Sequence, residues 1–378
     1  MRILLFVLIW ASILPLTGCW DRTELNDVAL IRGMGLDQKD NNRIEVTAEI
    51  YLPQMQGSSE GGGKSSGGQT IIRTGQGITI ADALQHLQER IPREVFWGHS
   101  EVILIGEKLA KKGIRDKIDF FLRDPRPRLR AYVFVTKGRA KDVLALLPPI
   151  EKSSAEVLRE LAVSEVLMHV TLIDLLQMLK GDAAALPMVD ILPPEKGKDS
   201  LETIAYINRT AVFKEDKMIG DINDKVTRGV LWFRDQIKRA NITVKSKEVN
   251  GPISLTIIRT QTKTDPQIED GKWKINVKIV TESDVILNES DLELEKPENV
   301  RLLKNLVRKS IEKRLTVTIN QVQKEMKTDI LNFAAAFERK YPNEWNKVKG
   351  EWNELFPEVE VRFDIETHIL RTGAGSAT

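Results

Sequence analysis

Apolar residues fall at every second position in Ile44, Val46, Ala48, Ile50 and Leu52, a period of two that predicts a strand over 43–52. A strand over 27–34 precedes it, and 69–73, 99–105 and 130–135 predict three more. Between them the period lengthens to three or four. Thr79, with Asp82 three positions on, marks a helix start; Ile80, Leu84, Leu87 and Ile91 form its apolar stripe, and Pro92 ends it. Residues 107–112 (stopped by Gly113), 114–122 and 139–147 (closed by Pro148-Pro149) predict short helices. Ser153-Ser154-Ala155-Glu156 has the order of a capping box, and Thr171 precedes a stripe of Leu172, Leu175, Leu176 and Leu179 that Gly181 terminates. Pro187 and Pro193-Pro194 read as a linker, which puts a boundary near 195–202.

Beyond that boundary, 205–213 and 217–220 predict a hairpin around Glu215-Asp216, and 225–238 a helix carrying Val226, Val230, Leu231 and Phe233. Ile253-Leu255-Ile257 and Trp273-Ile275-Val277-Ile279 are alternating, long and adjacent, hence an antiparallel pair. Pro297 opens a long helix whose stripe is Val300, Leu303, Val307, Ile311, Leu315, Ile319, Val322 and Met326. Helices over 330–340 and 343–355 and a strand over 359–365 complete the pattern. The fold class expected is α+β, multi-domain, with antiparallel or mixed sheets packed on helices and a long helix in the C-terminal domain. The regular strand–helix alternation of a doubly wound domain is not visible. The expected organisation is a signal peptide over 1–18, a lipidated tether over 19–26, an N-terminal α/β domain over 27–147 with a flexible Gly/Ser loop at 57–69, a helical subdomain and linker over 148–200, a C-terminal α+β domain over 201–372 and a tail over 373–378.

Composition narrows the function. The chain has 378 residues, a formal charge of +2 and one cysteine. Near-neutrality argues against a strongly basic nucleic-acid binder, and an aromatic content of 6% against broad stacking surfaces. A single cysteine excludes an intramolecular disulfide framework and a multi-thiolate zinc site. His86, His99, His169 and His368 lack ligand spacing. Gly62-Gly63-Lys64-Ser65 resembles the end of a phosphate loop, but no helix pattern follows it. No cofactor, metal or nucleic acid is therefore expected.

The cysteine gains meaning from its place. Arg2 and the apolar run from Ile3 to Leu14 form a secretory signal, shorter than the roughly 20 apolar residues that span a bilayer. Leu16-Thr17-Gly18-Cys19 then has the order of a bacterial lipoprotein box. In that chemistry a diacylglyceryl group joins the Cys19 thiol by thioether, and cleavage falls between Gly18 and Cys19. The alternative is a signal cut elsewhere, with Cys19 an ordinary thiol. Two acyl chains give stable anchoring where one binds marginally. Removal of 1–18 takes away Arg2 and no acid, leaving a charge of +1.

Cys19-Trp20-Asp21-Arg22-Thr23-Glu24-Leu25 followed by Gly35-Leu36-Asp37 resembles the mature start of the C-subunit lipoproteins of bacterial spore nutrient-germinant receptors, the Ger(x)C family. The likeness continues in the run from Gly98 to Glu107, in Gly113-Ile114 and in the run from Asp119 to Asp124. It resumes in Ala211-Val212-Phe213-Lys214, Gly220 and the run from Thr227 to Trp232. The segment from Asp329 to Ala334 departs from a family turn usually richer in glycine, and the Gly/Ser loop is longer than a typical member needs. The resemblance implies a non-enzymatic receptor subunit of mixed α/β domains. It implies a lipid anchor on the outer face of the spore inner membrane, A and B membrane subunits as partners, nutrients as triggers, and no nutrient pocket of its own.

Among candidate contact residues, Arg126, Arg128 and Arg130 stand in the densest basic stretch, where Pro125 and Pro127 forbid a helix. A period of two puts the three on one side, towards phosphate headgroups or partner acids. The competing reading is a solvated loop with local pairs such as Arg123–Asp124. Asp21 and Glu24 stand beside the anchor either as contacts or as solvated linker, and Trp20 suits a membrane interface or packing on the domain. His99 and Glu101 share one strand face without a third group to make a catalytic set. The runner-up function is a solute-binding lipoprotein of a transporter, which requires two βαβ lobes around a cleft. A lipid-anchored hydrolase requires paired carboxylates or a metal cluster.

Overall fold

The computed structural model describes residues 27–52, 70–124, 126, 128–238 and 240–373. The signal segment, Gly18, Cys19, the tether, the loop at 57–69 and residues 374–378 lie outside the described residues. The chain forms a nine-stranded mixed sheet, a four-stranded mixed sheet and the helices that cover them.

The first sheet is made of β1 (Val28–Gln38), β2 (Ile44–Tyr51), β3 (Thr70–Gly77), β4 (Glu94–Phe96), β5 (Val102–Gly106), β6 (Tyr132–Thr136), β7 (Ala183–Ile191), β8 (Ala205–Lys214) and β9 (Lys217–Asn223). Its order is β3-β2-β1-β5-β6-β7-β8-β9, with β4 beside β1. The neighbours β1, β5, β6 and β7 run parallel, and antiparallel strands flank them on both sides. Its helices are α1 (Ile80–Gln88), α2 (Glu107–Lys112), α3 (Arg115–Arg123), α4 (Ala140–Leu144), α5 (Ser154–Val163) and α6 (Leu172–Met178).

Strand–helix–strand crossovers therefore run from β5 to β6 and from β6 to β7, a parallel centre that the sequence pattern did not suggest. It was hidden by Pro187, which makes 183–191 read as a linker. The pairing of β7 with β6 covers only Met188 and Val189, so the proline stands just outside that ladder. Towards β8 the pairing runs from Ala183 to Ile191. The hairpin expected around Glu215 is present, with Glu215 in the left-handed region at φ 57°. It extends the first sheet, which thus continues past Pro193-Pro194 and the boundary expected near 195–202.

The second sheet joins β10 (Asn241–Ser246), β11 (Val249–Glu269), β12 (Lys272–Asn288) and β13 (Glu360–Arg371) in that order. β11 and β12 form the expected antiparallel pair, whereas β13 lies parallel to β12. The helices are α7 (Asp224–Phe233), α8 (Pro297–Ile319), α9 (Phe333–Lys340), α10 (Pro342–Val348) and α11 (Trp352–Leu355). α8 buries Leu303, Val307, Ile311 and Leu315 as its stripe requires. Its last turn widens to a π-helical one over Asn320–Glu325, which turns Gln323 inward to donate to the Phe356 and Val359 carbonyls at 2.7 and 2.8 Å.

The turn at 329–334 manages without glycine. Asn332 takes the left-handed conformation at φ 66°. The buried Asp329 carboxylate accepts the Leu331, Phe333 and Ala334 amides at 3.1, 3.1 and 2.6 Å and the Trp352 indole N–H at 3.1 Å. Those bonds supply the ordering that a glycine turn leaves to backbone freedom. Arg234, just past α7, donates to the Ile330 carbonyl at 2.8 Å, and burial pulls its guanidinium down to about 10.

Glycine matters where α1 meets β3. A Cβ on Gly75 would overlap the Ala83 carbonyl oxygen and the Leu87 amide, so the helix backbone lies directly on the strand. We predict that Gly75→Ala pushes α1 off the sheet and costs about 2 kcal/mol or more, read as a lower urea midpoint. An unchanged midpoint would refute this close-approach account.

Candidate functional site

Three groups of polar side chains stand out. The first is the basic loop. Arg123 pairs with Asp119, one helical turn earlier, at 2.7 Å, and Arg126 pairs with Asp124 at 2.6 Å. The expected pair Arg123–Asp124 is replaced by these two. The Arg126 hydrogen bond holds the Asp124 carboxyl below its usual range. The Arg128 carbonyl accepts the Ala131 amide at 3.0 Å, which closes a turn before β6 begins at Tyr132. The backbone is therefore not extended through residue 130, and the three arginines do not form the expected period-two row. Arg128 and Arg130 are exposed and form no ion pair among the described residues. Leu129, between them in sequence, is 43% exposed, and Leu122, in the last turn of α3, is 60% exposed.

The second is the pair His99 and Glu101. His99 ends a 3₁₀ turn over Trp97–His99 with its ring against Phe96, while Glu101 pairs with Arg159 at 3.4 Å and Arg32 at 3.9 Å. The two are not brought together as an acid–base couple. Among the described residues no cluster of three or more metal-ligating side chains occurs.

The third group is a row of carboxylates that the sequence reading missed. Asp37 on β1 and Glu45 and Glu49 on β2 are all buried. Asp37 accepts the Ala140 and Lys141 amides at 2.8 and 3.0 Å, at the start of α4. Glu49 accepts the Ser154 and Ala155 amides at 3.0 and 3.1 Å, at the start of α5. Each carboxylate thus satisfies N–H groups that a helix start leaves free, and each faces the positive end of a helix dipole. Glu45 is held by Arg139 and by Gln76 at 2.8 Å. The alternation in β2 marks Glu45, Thr47 and Glu49 as the polar face. Only the packing of α4 and α5 over that face buries it, and no residue spacing announces that.

Burial drives the Glu49 carboxyl up to about 7, against the lowering effect of its two amide bonds. The sign follows. The unfolded chain releases this proton near 4.5 and the folded chain near 7, so folding takes up a proton between them. Glu49 alone then makes the protein less stable as pH rises through that window, by about 2 to 3 kcal/mol between pH 5 and pH 8. We predict that Glu49→Gln, relative to the parent, gains that amount on moving from pH 5 to pH 8 in urea unfolding. A pH-independent difference would show that Glu49 does not titrate in the window.

Comparison with known proteins defines the family. The family of the spore germination protein N-terminal domain matches residues 21–191, and the family described as spore germination B3/GerAC like, C-terminal, matches residues 208–373. The chain is 27% identical to "Spore germination protein KC" of Bacillus subtilis (strain 168), over 98% of this chain and 96% of that protein. It is 26% identical to "Spore germination protein B3" of the same organism, over 97% of each. The crystal structure of the GerBC protein superposes with a TM-score of 0.59 at 22% identity, covering 93% of this chain and all of that one, which shows a shared fold. The chain belongs to the GerAC-type spore germination protein family, as the resemblance at Cys19–Asp37 and Thr227–Trp232 implied.

Proposed function

We propose that the protein is the lipid-anchored C subunit of a spore germinant receptor, required for nutrient-triggered germination through contacts with the A and B membrane subunits. The observation that carries this reading is the ordered match of both family domains across residues 21–373, directly downstream of the lipoprotein box ending in Cys19. On this reading a diacylglyceryl thioether on Cys19 holds the chain at the outer face of the spore inner membrane. The subunit acts by contact and not by catalysis, and it takes no cofactor or metal. No helix among the described residues is long and apolar enough to cross a membrane. Purification from spore membranes should recover two multi-spanning proteins with this chain, and Cys19→Ala should release it from the membrane. Recovery of the chain alone would count against the receptor reading, and retention of the Cys19→Ala protein against the anchor.

The surface around Arg128 and Arg130 is our candidate for partner or headgroup contact, with Leu122 and Leu129 adding apolar area. Arg126 contributes less, since Asp124 already neutralises it. We predict that Arg128→Gln with Arg130→Gln slows nutrient-triggered germination several-fold without lowering the urea midpoint, whereas Arg126→Gln alone has a smaller effect. Normal germination in the double variant would remove this surface from consideration.

A further inference from the structure

An open cavity of about 770 Å³ lies where α7 and α8 meet the edge of the second sheet. Lys225, Arg228, Lys238 and Arg314 line it, against a single carboxylate, Asp224. Among the described residues none of these four cations forms an ion pair or donates a side-chain hydrogen bond to the protein, while most other arginines near acids do. Val166 and Ile258 add an apolar rim, 48% and 50% exposed.

The helix crossing forces this arrangement. Gly229 on α7 lies so close to Thr318 on α8 that a Cβ there would overlap the threonine hydroxyl. Arg228 precedes that glycine, and Arg314 stands one turn before that threonine. The Thr318 hydroxyl donates to the Arg314 carbonyl at 2.9 Å, which fixes the same turn. Two guanidinium groups are thereby brought to one cavity with no protein acceptor. Burial, and then the Arg228 charge, lower the affinity of Arg314 for its proton, and Asp224 offsets this only in part. Four cations against one carboxylate, Asp224, leave like charges that destabilise the empty site, and a guanidinium pair presents the forked donors that suit phosphate oxygens. The volume is that of a small-molecule pocket.

We propose that Arg228 and Arg314, with Lys225 and Lys238, form a binding site for a phosphate-bearing anion. The same chemistry is offered by a soluble phosphate ester and by an anionic phospholipid headgroup, whose acyl part the Val166 and Ile258 rim would meet. The site is distinct from the basic loop at 123–130 and does not rest on the receptor reading.

The test uses the full chain in phosphatidylcholine vesicles, with hydrogen exchange of 224–231 and 311–318 as readout. Pyrophosphate is added in one arm, and phosphatidylglycerol replaces part of the lipid in the other. Slower exchange with pyrophosphate identifies a soluble anion, and slower exchange only with phosphatidylglycerol identifies a headgroup. In either case Arg228→Gln and Arg314→Gln should weaken the response about tenfold or more, and Arg228→Lys should restore it in part. Because each Gln variant removes a repelling charge, its urea midpoint without anion should be equal to or above that of the parent. Unchanged exchange in both arms, or a response that survives both Gln variants, overturns the proposal. A Gln variant that is destabilised without anion overturns it too, because the arginine would then be serving the fold.

Discussion

The contact between Gly229 and Thr318 is the constraint on which the junction of the two sheets depends. α7 packs on β8 and β9 of the first sheet and on β11 of the second, and it crosses α8 at a distance that only a glycine permits. Its other residues are set by that crossing. Thr227 shares a hydrogen bond with Thr210 of β8 at 2.9 Å, both fully enclosed, and Trp232 is among the largest buried side chains. A polar pair on one face and a bare backbone on the next key the helix to β8 and to α8, and a large aromatic further on is buried. This gives the run from Thr227 to Trp232 a physical content beyond its resemblance. The core on the two sides of α7 is continuous, so the two sheets share one apolar interior.

A second principle orders the N-terminal half. A sheet covered on both faces must do something with the polar residues of its strands, and here it uses them to start helices. Asp37 and Glu49 each cap a helix from a strand far away in sequence, which ties β1 and β2 to α4 and α5 by charge as well as by packing. The cost is a pair of carboxyls held above their ordinary range by burial. The Asp329 turn repeats the device in the C-terminal half, where a buried carboxylate again organises the first amides of a helix.

Much of this was legible in the residues. Thr79 and Thr171 cap the helices they were expected to start, through the Asp82 and Asp174 amides, and the α8 stripe is buried as its spacing requires. What failed to show was whatever depends on which element lies over which. Pro187 disguised a strand, because a proline is compatible with a sheet at the margin of a ladder, and only the register reveals that margin. Period two in β2 was right, yet it could not say that both faces are covered. The Arg126–Arg130 row failed because a tight turn needs one carbonyl–amide bond, from Arg128 to Ala131, that extended-chain geometry does not anticipate. Arg228 and Arg314 are 86 positions apart and meet only through the helix crossing.

A formal charge near zero therefore conceals a strongly uneven distribution. Most arginines near acids are neutralised locally, as Arg123, Arg126, Arg139, Arg159 and Arg209 are. Local pairing of this kind adds little stability when exposed, but it removes those charges from long-range competition. Among the described residues, Arg128 and Arg130 on a surface turn and Arg228 and Arg314 in a cavity are not neutralised in this way. On the proposed reading a lipid supplies the attachment, so neither group has to provide membrane affinity through bulk charge. Each is free to recognise a particular anion by geometry. Forked guanidinium donors on a rigid helix pair serve that purpose better than a diffuse basic face.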